Sequence, residues 1–254
     1  MEKPNITAQS AMRAAGGRPA KVSEVLELLG RRVVTGDYAV GETLPVEKEL
    51  IEELSVSRTT LREAIKTLTA LGLLEVRTRH GTRVRPRQDW SLLSRDVLRW
   101  MQPVEGVNVE LSSAIDEARE VFEPAACALA AVRADRREIT RIRLAYEAME
   151  RAAENDDVEA AIQADKDFHL AILAATGNPI LEAFDTAIDA VLGLLFKAAI
   201  ERHMESFRKN LANHLRVLEA IEQRRPEEAR QAMLDMIGFT RRNLENYQII
   251  KPIS

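Results

Sequence analysis

The fold class expected from the sequence is mainly α, an N-terminal winged helix-turn-helix followed by an all-helical bundle. Three observations lead there. The 254 residues are 46% hydrophobic but only 4% aromatic, an alanine- and leucine-rich composition that favours helices over a β-sandwich. Between Val22 and Arg85 the patterns run helix, helix, tight turn, helix, β-hairpin. From Asn108 onward only helical periods are legible.

Each element has a local reason. Residues 1–20 are polar, contain Gly16, Gly17 and Pro19, and read as a flexible tail. Val22, Val25, Leu26, Leu29 and Val33 recur at helical spacing until Gly36-Asp37. A turn-rich stretch from Gly36 to Pro45 leads to a short helix burying Leu50, Ile51 and Leu54. Ser57 is a natural N-cap for a third helix, which buries Leu61, Ile65 and Leu68 and closes at Gly72. Leu74 to Arg77 and Thr82 to Arg85 then form strands around Arg79-His80-Gly81. Residues 89–107 read as a linker with a short helix, in which Trp90 and Trp100 are packing anchors. Six helices follow over 108–133, 136–153, 156–175, 179–200, 206–223 and 226–246, with 247–254 as a tail.

Charge separates the two parts. Residues 1–88 carry 15 Lys/Arg against 11 Asp/Glu, and residues 89–254 carry 21 against 29, so the formal −4 is the sum of +4 and −8. Arg77, Arg79, Arg83, Arg85 and Arg87 crowd the hairpin without an acidic neighbour between residues 76 and 88. That density suits phosphate contact, and equally a solvated surface. The third helix sets Arg58 and Arg62 one turn apart, opposite its apolar stripe. A recognition helix presents arginines to guanine edges in this way.

The exclusions are short. Cys127 is the only cysteine, which rules out an intramolecular disulfide and any Cys-based metal cluster. It reads as a packed core thiol. No apolar run of about 18 residues and no signal-peptide core occurs. A cytoplasmic protein with no membrane segment is therefore expected.

Leu44-Pro45-Val46-Glu47-Lys48-Glu49-Leu50, Val56 to Ala64, Gly72-Leu73-Leu74 and His80-Gly81-Thr82 together resemble the N-terminal signature of the GntR regulators. The resemblance implies that Lys48, Ser57, Arg58, Thr60, Arg62, His80 and Gly81 contact operator DNA, the last two at the wing tip in the minor groove. Val46 departs from the family pattern, which has a capping Ser there. The chain thereby gives up a cap worth about 0.5–2 kcal/mol.

In the bundle, Val158, Ile162, Asp165, His169 and Ile172 share one helical face, and Leu211, His214, Leu215 and Leu218 share another. A buried carboxylate and two imidazoles need partners. Two readings satisfy them, a hydrogen-bonded core cluster or a divalent metal. The region is similar to the FCD effector domain of the FadR-type GntR branch, over about residues 108–246. That resemblance implies Asp165, His169 and His214 as ligands of Zn, with Ni possible, and an effector carboxylate on Arg119, with Asn178 lining the pocket. The fourth ligand position holds Met236, a poor donor for such an ion, and His203 is a weaker candidate to replace it. Without a ligand, Arg119 is explained as a pair with Glu123, and Asn178 as a helix-starting turn. Gln88-Asp89-Trp90, Asp96 to Trp100, Met236-Ile237 and Thr240 to Leu244 resemble the galactonate-operon repressors within this branch, which implies a sugar-acid effector such as a hexonate.

The expected function is a homodimeric, ligand-responsive regulator of a sugar-acid catabolic operon, released from a palindromic operator by a small carboxylate. It would be a repressor by family default. Two rivals use the same residues. A metal-dependent enzyme would need a general base beside the metal, and Asp167 is expected to face away. A purely structural dimer would hold the polar cluster without metal.

Overall fold

The computed structural model describes residues 21–103, 108–184 and 204–251. The N-terminal tail, part of the linker, most of the helix expected over 179–200, His203 and the last three residues lie outside the described residues. The chain divides into two compact units, Met1–Ser91 and Leu92–Ser254.

In the first unit, α1 (Val22–Thr35), α2 (Glu47–Leu54) and α3 (Arg58–Ala70) precede β1 (Leu74–Arg77) and β2 (Gly81–Val84). The strands pair antiparallel, with Leu74 opposite Val84 and Arg77 opposite Gly81. The stretch read from sequence as turn-rich adds a third edge to this wing. Gly41 N donates to Val84 O at 2.9 Å, Val84 N to Glu42 O at 2.9 Å, and Leu44 N to Thr82 O at 2.8 Å. Val25, Leu29, Val33, Leu50, Leu54, Leu61, Leu68, Leu73, Leu74 and Val84 are buried beneath the helices and wing.

Two caps decide how α2 and α3 begin. Ser57 Oγ accepts from Thr60 N at 3.0 Å, satisfying one of the orphan donors of α3. Val46 offers no side-chain cap to α2, but Glu49 Oε2 still accepts from Val46 N at 3.3 Å. Half of the capping box therefore survives. Gly72 ends α3 with φ +77°, and a Cβ there would lie 2.0 Å from the Asp89 carbonyl oxygen. Only glycine meets both demands. Trp90 is buried and its Nε1 donates to Arg85 O at 3.0 Å, while the Arg87 guanidinium lies 5.7 Å from the ring centre. One of the wing arginines is thus stacked on its own unit.

The second unit is helical throughout its described residues: α4 (Arg95–Met101), α5 (Val109–Arg133), α6 (Arg136–Glu154), α7 (Val158–Ala174), α8 (Pro179–Glu182), α9 (Met204–Glu222) and α10 (Pro226–Asn246). α6 packs on α7 and α9 on α10, while α5 lies against α10, α9 and α7. Basic side chains from elsewhere satisfy helix C-termini. Arg224 donates to Ala131 O at 3.2 Å and Ala134 O at 2.6 Å, and Arg208 donates to Ala153 O at 2.8 Å. These contacts use the carbonyls that a helix end leaves unmatched.

Two stretches expected to be peripheral are core. Ile249 and Ile250, in the segment read as a tail, are buried with Leu98 of α4 and Leu244 of α10. The linker helix and the first residues of the tail therefore close one end of the bundle. Single apolar residues in short segments carry no periodicity to announce this.

Candidate functional site: a DNA-reading face and a polar bundle core

On the first unit, α3 and the wing hold the residues the sequence singled out. Arg58 and Arg62 both converge on Glu47 of α2, with Nε–Oε1 distances of 2.9 and 3.2 Å. Glu47 draws both guanidiniums toward the start of α2, and at 71% and 64% exposure the pairs remain open to exchange. Lys48 is 85% exposed. The Thr60 hydroxyl lies 2.8 Å from Ser57 Oγ, so both are tied to the head of α3. His80 and Gly81 are exposed at the wing tip, where Arg79 (φ +67°) and Gly81 (φ +82°) turn the chain.

In the second unit the structure brings Asp165, His169 and His214 together. All three are buried, and one ligand atom from each lies within 4.8 Å of the others. The helical spacing placed Asp165 and His169 one turn apart on α7. The packing of α9 supplies His214.

Their hydrogen bonds suit a cation. His214 Nδ1 donates to Asn210 O at 2.9 Å, which leaves Nε2 as an acceptor, yet Nε2 sits 3.0 Å from Asp165 Oδ1. Two acceptors facing at that distance need a proton or a metal ion between them. Asp165 Oδ2 is buried with no hydrogen-bond partner among the described residues. His169 Nδ1 lies 2.8 Å from Glu123 Oε2, the carboxylate-to-imidazole contact that orients a metal-ligating histidine. The donor set, one carboxylate and two imidazoles without sulfur, fits a divalent ion of the zinc type. Met236 is buried in the apolar core of the bundle, and His203 lies outside the described residues.

Glu123 connects this trio to Arg119. The Arg119 guanidinium is fully buried and its Nε donates to Glu123 Oε1 at 2.6 Å. Burial would raise the Glu123 carboxyl, but Arg119 and then His169 outweigh it and hold it at about 2. Arg119 is raised above its ordinary value: burial works against its charge, and Glu123, Asp116 and Asp165 overcome it. The pair expected as the ligand-free explanation of Arg119 is therefore present, inside the polar core.

That core extends beyond the residues picked from sequence. Ser112, Asp116, Arg119 and Glu123 are all buried along one face of α5. Arg241 of α10 donates through Nε to Asp116 Oδ2 at 2.5 Å, and its Nη1 lies 2.8 Å from Glu120 Oε2. Asn210 donates to Thr240 Oγ1 at 3.2 Å. The missed signal was a polar stripe at steps of four, three and four residues on a core helix. Among the described residues, the buried Asp116, Glu123 and Asp165 face Arg119 and Arg241, and Arg241 also pairs with the half-exposed Glu120, so the cluster carries an excess of negative charge. A divalent ion would offset that excess.

Asn178 is spoken for locally. Its Oδ1 accepts from Ile180 N at 3.0 Å and caps α8. Asp167 is exposed and hydrogen-bonded to Gln163 at 2.8 Å, away from the trio as expected. Cys127 is buried, and burial, followed by the Glu123 charge, pushes its thiol well above the ordinary value.

A winged helix-turn-helix reader in one unit and a helical bundle with a buried polar cluster in the other define a DNA-binding regulator that responds to a small molecule. Residues 21–84 match the model of the gntR family of bacterial regulatory proteins, and residues 114–239 match the FCD domain. The chain belongs to the GntR family, in the branch carrying an FCD domain. It is 33% identical over 225 residues to the galactonate operon transcriptional repressor of Escherichia coli (strain K12), covering 89% of this chain and 97% of that one. The Uxu operon regulator of Haemophilus influenzae is 28% identical, with 82% and 75% covered. The Streptococcus agalactiae GntR structure superposes with a TM-score of 0.50 at 27% identity, over 87% and 99% of the chains. Among the described residues, no helix is long and apolar enough to cross a membrane.

Proposed function

We propose that the protein is a homodimeric repressor of a sugar-acid catabolic operon, released from a palindromic operator by a monocarboxylate effector such as a hexonate. The observation that carries this reading is the meeting of Asp165, His169 and His214 with Arg119 and Glu123 in the bundle core. The two relatives named for galactonate and uxu operons support the effector class.

In this reading Asp165, His169 and His214 hold a Zn or Ni ion, which supplies Lewis-acid sites for a carboxylate and an adjacent hydroxyl. Glu123 orients His169, and Arg119 clamps the effector carboxylate through its planar fork. The excess negative charge of the polar core suits a divalent ion. Asn178, a cap of α8, borders the pocket.

Lys48, Ser57, Arg58, Thr60, Arg62, His80 and Gly81 contact operator DNA, with α3 in the major groove and the wing tip in the minor groove. Two-fold symmetry of the dimer calls for a palindromic site. The effector acts by preferring the arrangement that does not bind DNA, since a ligand with equal affinity for both shifts nothing.

The test is a gel-shift titration of the metal-loaded dimer on operator DNA with hexonates. Release of operator at rising hexonate, lost after chelation, is the expected result. Affinity unchanged by every hexonate would overturn the reading.

A further inference from the structure

Five arginines crowd the wing, and four of them are committed within their own unit. Arg77 Nη2 lies 2.8 Å from Glu75 Oε1, and Arg85 Nη2 lies 3.1 Å from Asp89 Oδ2. Both carboxylates flank the acid-free stretch 76–88, so folding answers charge that the sequence left open. Arg83 donates through Nε to the Gly41 carbonyl, and the Arg87 guanidinium sits over Trp90. Arg79 differs. It is exposed at the wing tip, and its guanidinium has no hydrogen bond, ion pair or ring contact among the described residues.

Its backbone is unusual as well. Among the described residues, Ser55, Arg79, Asp156, Arg224 and Gln248 are the non-glycine residues with positive φ. Ser55, Asp156, Arg224 and Gln248 follow the ends of α2, α6, α9 and α10 by one or two residues, where left-handed turns commonly close a helix. Arg79 lies on the hairpin, third in the turn that His80 N closes by donating to Arg77 O at 3.0 Å. A positive φ at that place favours glycine, and a side chain there is strained. Arg224 offsets the same strain by bonding the Ala131 and Ala134 carbonyls through its guanidinium. Arg79 has no such contact within the described residues, and strain left unanswered inside a fold points to a use outside it.

We propose that Arg79 is the probe of the wing, a guanidinium inserted into the minor groove beside each half-site, and that it makes the operator prefer A·T base pairs there. The proposal rests on the reading given above that the wing tip enters the minor groove. A narrow A·T-rich minor groove concentrates negative potential and attracts arginine, whereas guanine fills the groove with its N2 amino group. A guanidinium suits this place better than an ammonium, because it is more weakly hydrated. The platform beneath it is fixed before DNA arrives. Thr43 bridges to Arg83, Leu44 N donates to Thr82 O, and a Cβ on Gly81 would lie 3.0 Å from Thr43 Cγ2.

The experiment selects binding sites from a randomised duplex pool with the full-length protein, for wild type, Arg79→Gly, Arg79→Lys and His80→Ala. Affinities are then measured on the wild-type site and on the same site with G·C or inosine·C pairs in place of the flanking A·T pairs. Wild type enriches A·T pairs beside each half-site, loses about tenfold in affinity when they become G·C, and regains it with inosine·C, which lacks the N2 amino group. Arg79→Gly selects the same half-site bases without the A·T pairs and binds the wild-type site about tenfold more weakly, with a salt slope smaller by about one. It melts no lower than wild type, since glycine adopts this backbone without strain. Arg79→Lys keeps the salt slope and loses the preference. If Arg79→Gly keeps the A·T preference while His80→Ala weakens binding, the proposal is wrong and the wing reading stands. If neither variant changes affinity or preference, the wing reading falls and this proposal with it. A lower melting temperature of Arg79→Gly with equal weakening on every duplex would make Arg79 a structural residue and overturn the proposal.

Discussion

At the scale of single residues, the informative side chains are the buried polar ones, because each must recover the cost of leaving water. Asp165 does so incompletely, since one of its oxygens lacks a partner among the described residues while the other faces the acceptor nitrogen of His214. Asp165→Ala should abolish stoichiometric zinc in protein purified without a histidine tag, as read by elemental analysis. Retention of the metal would move the ligand set elsewhere. Glu123 holds Arg119 and His169 at once. Glu123→Gln removes the hydrogen-bonded counter-charge of a buried guanidinium and should cost about 3–5 kcal/mol in chemical denaturation. Helical spacing alone identified Asp165, His169 and His214 as core-side polar residues. It did not disclose Asp116 and Arg241, because their pairing joins residues 125 positions apart.

At the scale of elements, helix ends and turns were largely written in local chemistry. Ser57 caps α3, the left-handed Gly36 and Gly72 end α1 and α3, and α10 starts at Pro226, the favoured first helical position. Val46 is the local exception, leaving α2 with only the Glu49 half of its box. Val46→Ser should restore the missing acceptor and stabilise the first unit by about 0.5–2 kcal/mol, seen as a higher melting temperature. No gain would mean that α2 is fixed by the burial of Leu50 and Leu54 alone. The third wing edge at Gly41 to Leu44 escaped sequence reading for a different reason. Its backbone bonds go to residues some 40 positions away, and its side chains show no alternation.

At the scale of the whole molecule, a reader of net +4 is joined to a sensor of net −8. The acidity of the larger part discourages it from lying on DNA, which concentrates phosphate attraction on α3 and the wing. Arg62→Ala should therefore weaken binding to operator more than to random DNA, while Lys48→Ala should weaken both alike and flatten the salt dependence. Filter-binding assays across a salt series measure both, and identical behaviour of the two variants would erase the division of roles. The sequence by itself determined the order of elements, the helical class, the family and the polar identity of the core residues, because periodicity, caps and motif spacing are properties of neighbours along the chain. Only the tertiary structure decided that the ligand atoms of Asp165, His169 and His214 come within 4.8 Å of one another, that Glu123 joins them to Arg119, that Glu47 gathers both Arg58 and Arg62, and that Ile249 and Ile250 close the bundle. Those contacts join distant segments, and their energies exist only once packing has excluded water and brought the partners within reach.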